Sequence, residues 1–164
     1  MTSLRCLIAV AALAFTVPAQ VAVPAQAGVN DPEVLIYRGA GVIDNGGMGL
    51  TGNATAFHCT NFSGVPENIR FVVRTATGTL AANSAAAAVA HLNTVTALTK
   101  DTVLFFIGIR LMLNTGSVPA GTVAIAATSI NVTCTAMLVD ATTMTPAGIK
   151  LHLTRFNPIP ATEE

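Results

Sequence analysis

Between its turn residues this chain alternates apolar and polar positions with a period of two, the pattern of strands that have one wet face. In Asn68 to Thr75, Ile69, Phe71 and Val73 fall on one face, and Arg70, Val72 and Arg74 fall on the other. In Ile149 to Phe156, Ile149, Leu151 and Leu153 alternate with Lys150, His152 and Thr154. Thr102 to Leu113, TVLFFIGIRLML, is apolar on nearly both faces. That fits a central strand covered on each side or a buried helix, and the β-branched and aromatic content favours the strand. Over 122 to 139 the pattern changes phase: Val123, Ile125 and Ala127 keep odd parity, whereas Ile130, Val132, Cys134, Ala136 and Leu138 keep even parity. A bulge or a crossing between two sheets near Thr128 and Ser129 would produce that change.

The punctuation agrees with an all-β chain. Val118-Pro119-Ala120-Gly121 and Thr145-Pro146-Ala147-Gly148 both read as turns feeding strands, because proline presets one turn dihedral and glycine accepts a positive one. Gly39 to Gly52, GAGVIDNGGMGLTG, reads as loop or hairpin with Asp44-Asn45-Gly46 as its tight turn. Ala81 to Ala90, AANSAAAAVA, reads as a loop leading into a strand. Seven to nine short strands with almost no amphipathic helix describe a single β-sandwich of Greek-key or immunoglobulin-like connectivity. The expected domain spans 54–160, preceded by a glycine-rich segment at 28–53 and followed by a short tail at 161–164.

The first 27 residues have a different character. A lone positive charge in Met1 to Arg5, an apolar run from Cys6 to Val17 and the small-x-small sequence Ala25-Gln26-Ala27 make up a secretory leader, with cleavage expected after Ala27. Pro18 and Gln20 interrupt the run well before the ~20 apolar residues a membrane span needs, so no span is expected in the mature chain. Loss of the leader takes Cys6 with it and leaves Cys59 and Cys134. An even pair in an exported, oxidising compartment reads first as a disulfide. Such a bridge would close a loop of about 76 residues and, on the chain-entropy model, contribute about 4 kcal/mol.

Candidate chemistry is sparse. In Phe57-His58-Cys59-Thr60-Asn61-Phe62 a histidine stands beside a cysteine, but on a strand Phe57 and Cys59 share one face and His58 and Thr60 the other. The imidazole then points away from the sulfur, and a thiol nucleophile with its base is disfavoured. His58, His91 and His152 show no short metal-ligand spacing. If His58 and His152 lie on neighbouring strands, both facing solvent, those two could pair with Asp140 or Glu67 around a metal. Gly47-Met48-Gly49-Leu50-Thr51-Gly52 matches the dinucleotide fingerprint, yet a strand pattern follows where that motif needs a helix. With no tryptophan and one tyrosine, Tyr37, the stacking surface of a sugar site is missing. Eight basic and eight acidic residues cancel, charged residues are only 10% of the chain, and no basic cluster is present to hold nucleic acid.

The segments HCTNFSGVPENIRFVVR, GTVAIAATSINVTCTAML and GIKLHLTRFNPIP resemble a group of small exported bacterial proteins that carry no assigned activity, over about residues 54–160. The resemblance implies an exported all-β domain with two cysteines, and it transfers no site residue. The expected role is therefore non-catalytic: a structural or interaction module, periplasmic or extracellular, with no cofactor, acting on a protein partner or by self-association. Two alternatives stand beside it, a subunit of a pilus-like or adhesin-like surface assembly and a metal-dependent or hydrolytic enzyme built on the three histidines.

Overall fold

The computed structural model describes residues 28–46, 50–103, 108–144 and 148–156; the leader expected over 1–27 and the tail at 161–164 lie outside them. Within the described residues the chain is all-β. In chain order the strands are β1 (Val34–Asp44), β2 (Asn53–Asn61), β3 (Glu67–Thr75), β4 (Leu80–Asn83), β5 (Ala87–Val89), β6 (Thr94–Leu98), β7 (Ile109–Met112), β8 (Val118–Ala127), β9 (Val132–Asp140), β10 (Ile149–Leu151) and β11 (Leu153–Arg155). They form two packed sheets. The first runs β11-β1-β8-β3-β4, with β5 also paired to β3, and the second runs β10-β9-β2-β6-β7. Among the described strands only β6 and β7 pair in parallel. No helix among the described residues is long and apolar enough to cross a membrane.

Two consecutive strand pairs interlock at the centre of this sandwich. β1 and β2 occupy opposite sheets, and β8 and β9 lie beside them in the same two sheets. The phase change near Thr128 is thus a crossing: β8 belongs to the first sheet and β9 to the second, and the inward parity resets on the way. The core forms where the inward rows meet. Ile69, Phe71 and Val73 of β3 and Ile125 of β8 pack against Phe57 and Cys59 of β2, Val95 and Ala97 of β6 and Val132 and Ala136 of β9. The Phe57 and Phe71 rings stack across the interface with centroids 6.0 Å apart.

Cys59 and Cys134 form the expected disulfide. They stand directly opposite one another on β2 and β9, with Cα atoms 4.1 Å apart and a sequence separation of 75. Both are buried. The bridge joins neighbours in one sheet, whereas the immunoglobulin bridge joins the two sheets.

Several local expectations need correction. The glycine-rich segment read as loop or hairpin contains β1, an 11-residue strand between β8 and β11, so the sandwich begins at Val34 and not at residue 54. The turn at its end is as expected, with the Gly46 N–H donating to Asp44 Oδ1 at 2.9 Å. The alanine-rich stretch holds two short strands, β4 and β5, which both pair with β3. Val118 to Gly121 is the start of β8 and not a turn. Its register against β1 jumps from Val42↔Gly121 to Asp44↔Val118, so Pro119 and Ala120 bulge opposite Ile43. A bulge is where a strand tolerates a residue without an N–H. Gly121 is required there because a Cβ would stand 2.6 Å from the Arg74 carbonyl oxygen.

Two more differences concern strand position. The described part of TVLFFIGIRLML contributes β7, an edge strand of four residues and not a central one, while residues 104–107 lie outside the description. Ile149 to Phe156 is not one strand. The chain leaves the second sheet after β10 and enters the first as β11, with His152 at the crossing. Parity is consequently not kept, and Ile149 is 69% exposed.

Candidate functional site

The outward face of the first sheet carries the candidate site. Its centre is β8, whose inward residues Val123, Ile125 and Ala127 are buried, leaving Thr122, Ala124 and Ala126 outward. These are small. On one side β1 turns Arg38 and Ala40 outward, and on the other β3 turns Arg70, Val72 and Arg74 outward. The register lines them up in rows across the sheet: Thr154, Arg38, Ala124, Val72 in one, and Ala40, Thr122, Arg74 in the next. Long side chains flanking short ones leave a hollow of about 610 Å³, lined by Arg38, Ala40, Val72, Arg74, Thr122 and Ala124, with His152 and Thr154 among its walls.

The three arginines of this face are in different electrostatic situations. Arg70, outside the hollow, is paired with Glu33, its Nε donating to Oε2 at 2.6 Å and its Nη2 lying 2.5 Å from the same oxygen. Arg38 and Arg74 line the hollow and have no carboxylate partner among the described residues, where the ion pairs are Arg70–Glu33, Lys100–Asp44 and Arg110–Asp101. Arg38 lies over the Phe156 ring, 5.6 Å from its centroid, and Arg74 donates from Nη1 to the Gly78 carbonyl at 3.0 Å. A guanidinium has five N–H donors, so each keeps several for a ligand.

A second hollow, of about 450 Å³, opens beside Asp44, Thr99, Lys100 and Asn114 at the end of the sandwich. Its polar groups satisfy one another. Asp44 accepts from the Gly46 N–H and from the Thr115 hydroxyl at 2.9 Å, while Lys100 donates to Asn45 Oδ1 at 3.1 Å and to the Gly46 carbonyl at 2.5 Å. Asp44 and Lys100 are both buried, with 3.6 Å between Oδ1 and Nζ. This cluster closes the end of the β1–β2 connection. Its acid and base are spent on each other, whereas the charges of the first hollow are not.

The histidines do not converge. His58 sits on the outward face of the second sheet, half-buried between Thr96 and Thr135, with Nδ1 3.0 Å from Thr96 Oγ1. His91 lies in the turn between β5 and β6 and accepts the Gly64 N–H at 3.0 Å. His152 lines the first hollow. His58 and His152 are not on neighbouring strands, because β9 stands between β2 and β10. Glu67 is fully buried on β3, where Oε2 accepts from the Thr128 hydroxyl and Oε1 has no hydrogen-bond partner. Asp140 ends β9, where the backbone N–H and hydroxyl of Thr142 hold its carboxyl below the usual range. Among the described residues no three of His, Cys, Asp and Glu gather as a metal site requires. The glycine motif at 47–52 is followed by β2, and part of it, 47–49, lies outside the described residues.

His58 supplies a pH prediction. Burial holds its imidazole below the ordinary value. The unfolded chain then binds that proton more readily than the folded one, so stability is complete above about pH 6.5 and declines as the pH falls through and below that value. Thermal melts between about pH 7.5 and 5 are expected to show a smaller acid-induced drop for His58→Gln than for the parent. Identical slopes would mean His58 does not contribute.

Sequence reasoning singled out His152 but not Arg38, Arg74, Thr122 or Thr154. The signal for part of it was present in the wet faces of 68–75 and 122–127. Compared with protein-family models, with curated proteins and with solved structures, the chain matches none of them.

Proposed function

We propose that this chain is an exported, non-catalytic interaction module, a cystine-stapled β-sandwich that presents the outward face of its first sheet to a partner. The observation that carries this reading is the hollow between β1 and β3. It is floored by small side chains and walled by groups that bind and orient, namely guanidiniums, hydroxyls and an imidazole. Its volume lies within the several hundred cubic ångströms usual for sites that enclose a small molecule or a protruding side chain. The leader pattern expected over 1–27 supports a place outside the inner membrane, as does a buried disulfide, which persists in oxidising compartments.

The test is a thermal-shift screen of the mature domain against anionic, neutral and cationic small molecules. Binding to the folded state alone raises the melting temperature by mass action, by a few degrees at a large excess of ligand. At least one class is expected to do so, and Ala124→Trp, which fills the floor of the hollow from an outward position, is expected to abolish the shift. A screen with no shift, or a shift that survives Ala124→Trp, would sink the reading.

A further inference from the structure

Resting on that reading, we propose that the hollow between β1 and β3 takes a small polyanion, a ligand with at least two carboxylate or phosphate groups held by Arg38 and Arg74. The two arginines stand two strands apart, on β1 and β3, and one two-residue step out of line. Strand spacing and rise then put their Cα atoms about 12 Å apart, which lets both side chains reach inward over Thr122 and Ala124 to a single ligand. Each guanidinium presents a planar fork that matches one carboxylate or one phosphate with two parallel hydrogen bonds. A ligand with one anionic group would satisfy one fork and leave the other charge unpaired. No described carboxylate lines the hollow, so nothing inside it competes for either fork.

The remaining walls suit the rest of such a ligand. Ala40, Val72 and Ala124 give a carbon skeleton an apolar floor, and the Thr122 and Thr154 hydroxyls offer hydrogen bonds between the two charged ends. The chain as a whole has eight basic and eight acidic residues, so attraction to the ligand is local to this face and does not come from net charge. A long polyanion such as nucleic acid would need a continued basic stripe, and the third arginine of this face, Arg70, is already neutralised by Glu33. Arg70 is therefore an internal control on the same sheet face.

Isothermal titration of the mature domain at low ionic strength tests this, with citrate as the carboxylate arm and a sugar bisphosphate as the phosphate arm. Glucose and acetate serve as controls. One arm is expected to bind, saturably and with one ligand per chain, at least about tenfold more tightly than acetate, with glucose giving no heat; which arm binds identifies the anion. Arg38→Gln and Arg74→Gln are each expected to weaken binding about tenfold or more, the scale of a lost charge-assisted hydrogen bond. Arg70→Gln is expected to change it less than about twofold. Unchanged thermal melts in all three variants separate lost binding from lost folding. Absence of binding by both polyanions, or binding that survives both Arg38→Gln and Arg74→Gln, overturns the proposal. If a neutral or cationic molecule instead occupies the face in the Ala124→Trp comparison, the interaction module stands and only the polyanion is overturned.

Discussion

Removing the bridge between Cys59 and Cys134 is expected to destabilise the β-sandwich by about 4 kcal/mol. For a domain of this size that corresponds to a fall of roughly 10–20 °C in melting temperature. The effect originates mainly in the unfolded chain. The cystine closes a loop with a sequence separation of 75, and without it the unfolded ensemble recovers the entropy that closure had removed. The folded state is expected to lose little, because the β2–β9 ladder, which pairs from Asn53↔Asp140 to Asn61↔Val132, also holds the two residues opposite one another. Both cysteines are buried in the native state, so the double variant Cys59→Ala, Cys134→Ala is the cleaner sample, with reduction after unfolding as its check. A denaturant melt should also show a steeper transition, since the unbridged chain exposes more surface. A change in stability below about 1 kcal/mol would mean the loop is already constrained in the unfolded chain.

Phe71→Ala is expected to cost about 3–5 kcal/mol, the range for deleting a fully buried aromatic side chain. Phe71 belongs to the first sheet and Phe57 to the second, both rings are fully buried, and they stack on one another at 6.0 Å. Truncation therefore opens a cavity at the seam that holds the two sheets together. Elsewhere in the core many residues are alanines and valines, so few neighbours can shift to fill it. Phe62→Ala supplies the contrast. Phe62 is 52% exposed beyond the end of β2, and its loss should lie within about 0.5 kcal/mol of zero. Urea unfolding of both variants measures the difference, and equal effects would contradict the packing described for the seam.

The inward rows and the staple were legible in the sequence because a two-residue period reports directly on burial. Ile69, Phe71 and Val73 alternate with Arg70, Val72 and Arg74, and all three are fully buried. The change of phase after Ala127 marked the passage of the chain from one sheet to the other. What failed was reading by composition. β1 carries Gly39 and Gly41 and so resembled a loop, yet a Cβ at Gly39 would lie 2.6 Å from Leu153 Cδ2, so the Leu153 side chain of β11 occupies the space that a larger residue would take. The alanines of β4 and β5 have too little side chain to produce a period; their strands exist because β3 offers them a free edge. Ile149 to Phe156 kept a strand-like alternation while crossing between sheets, since parity alone does not say which sheet a residue has joined.

The candidate site was hidden for a related reason. Alternation placed Arg70 and Arg74 on a wet face, but nothing local says that β8 sets its small residues between β3 and β1. That neighbourhood is a property of the topology, and so is the separation of the three histidines. Spacing left their convergence open, and the position of β9 between β2 and β10 closed it.

The stapled sandwich and the proposed export of this chain meet in one covalent bond, and intact-mass analysis of exported material after alkylation under non-reducing conditions measures it directly. The expected result is a chain beginning at Gly28 that is lighter by two hydrogens than its sequence and takes up no alkyl group. A chain with both Cys59 and Cys134 alkylated would contradict the account.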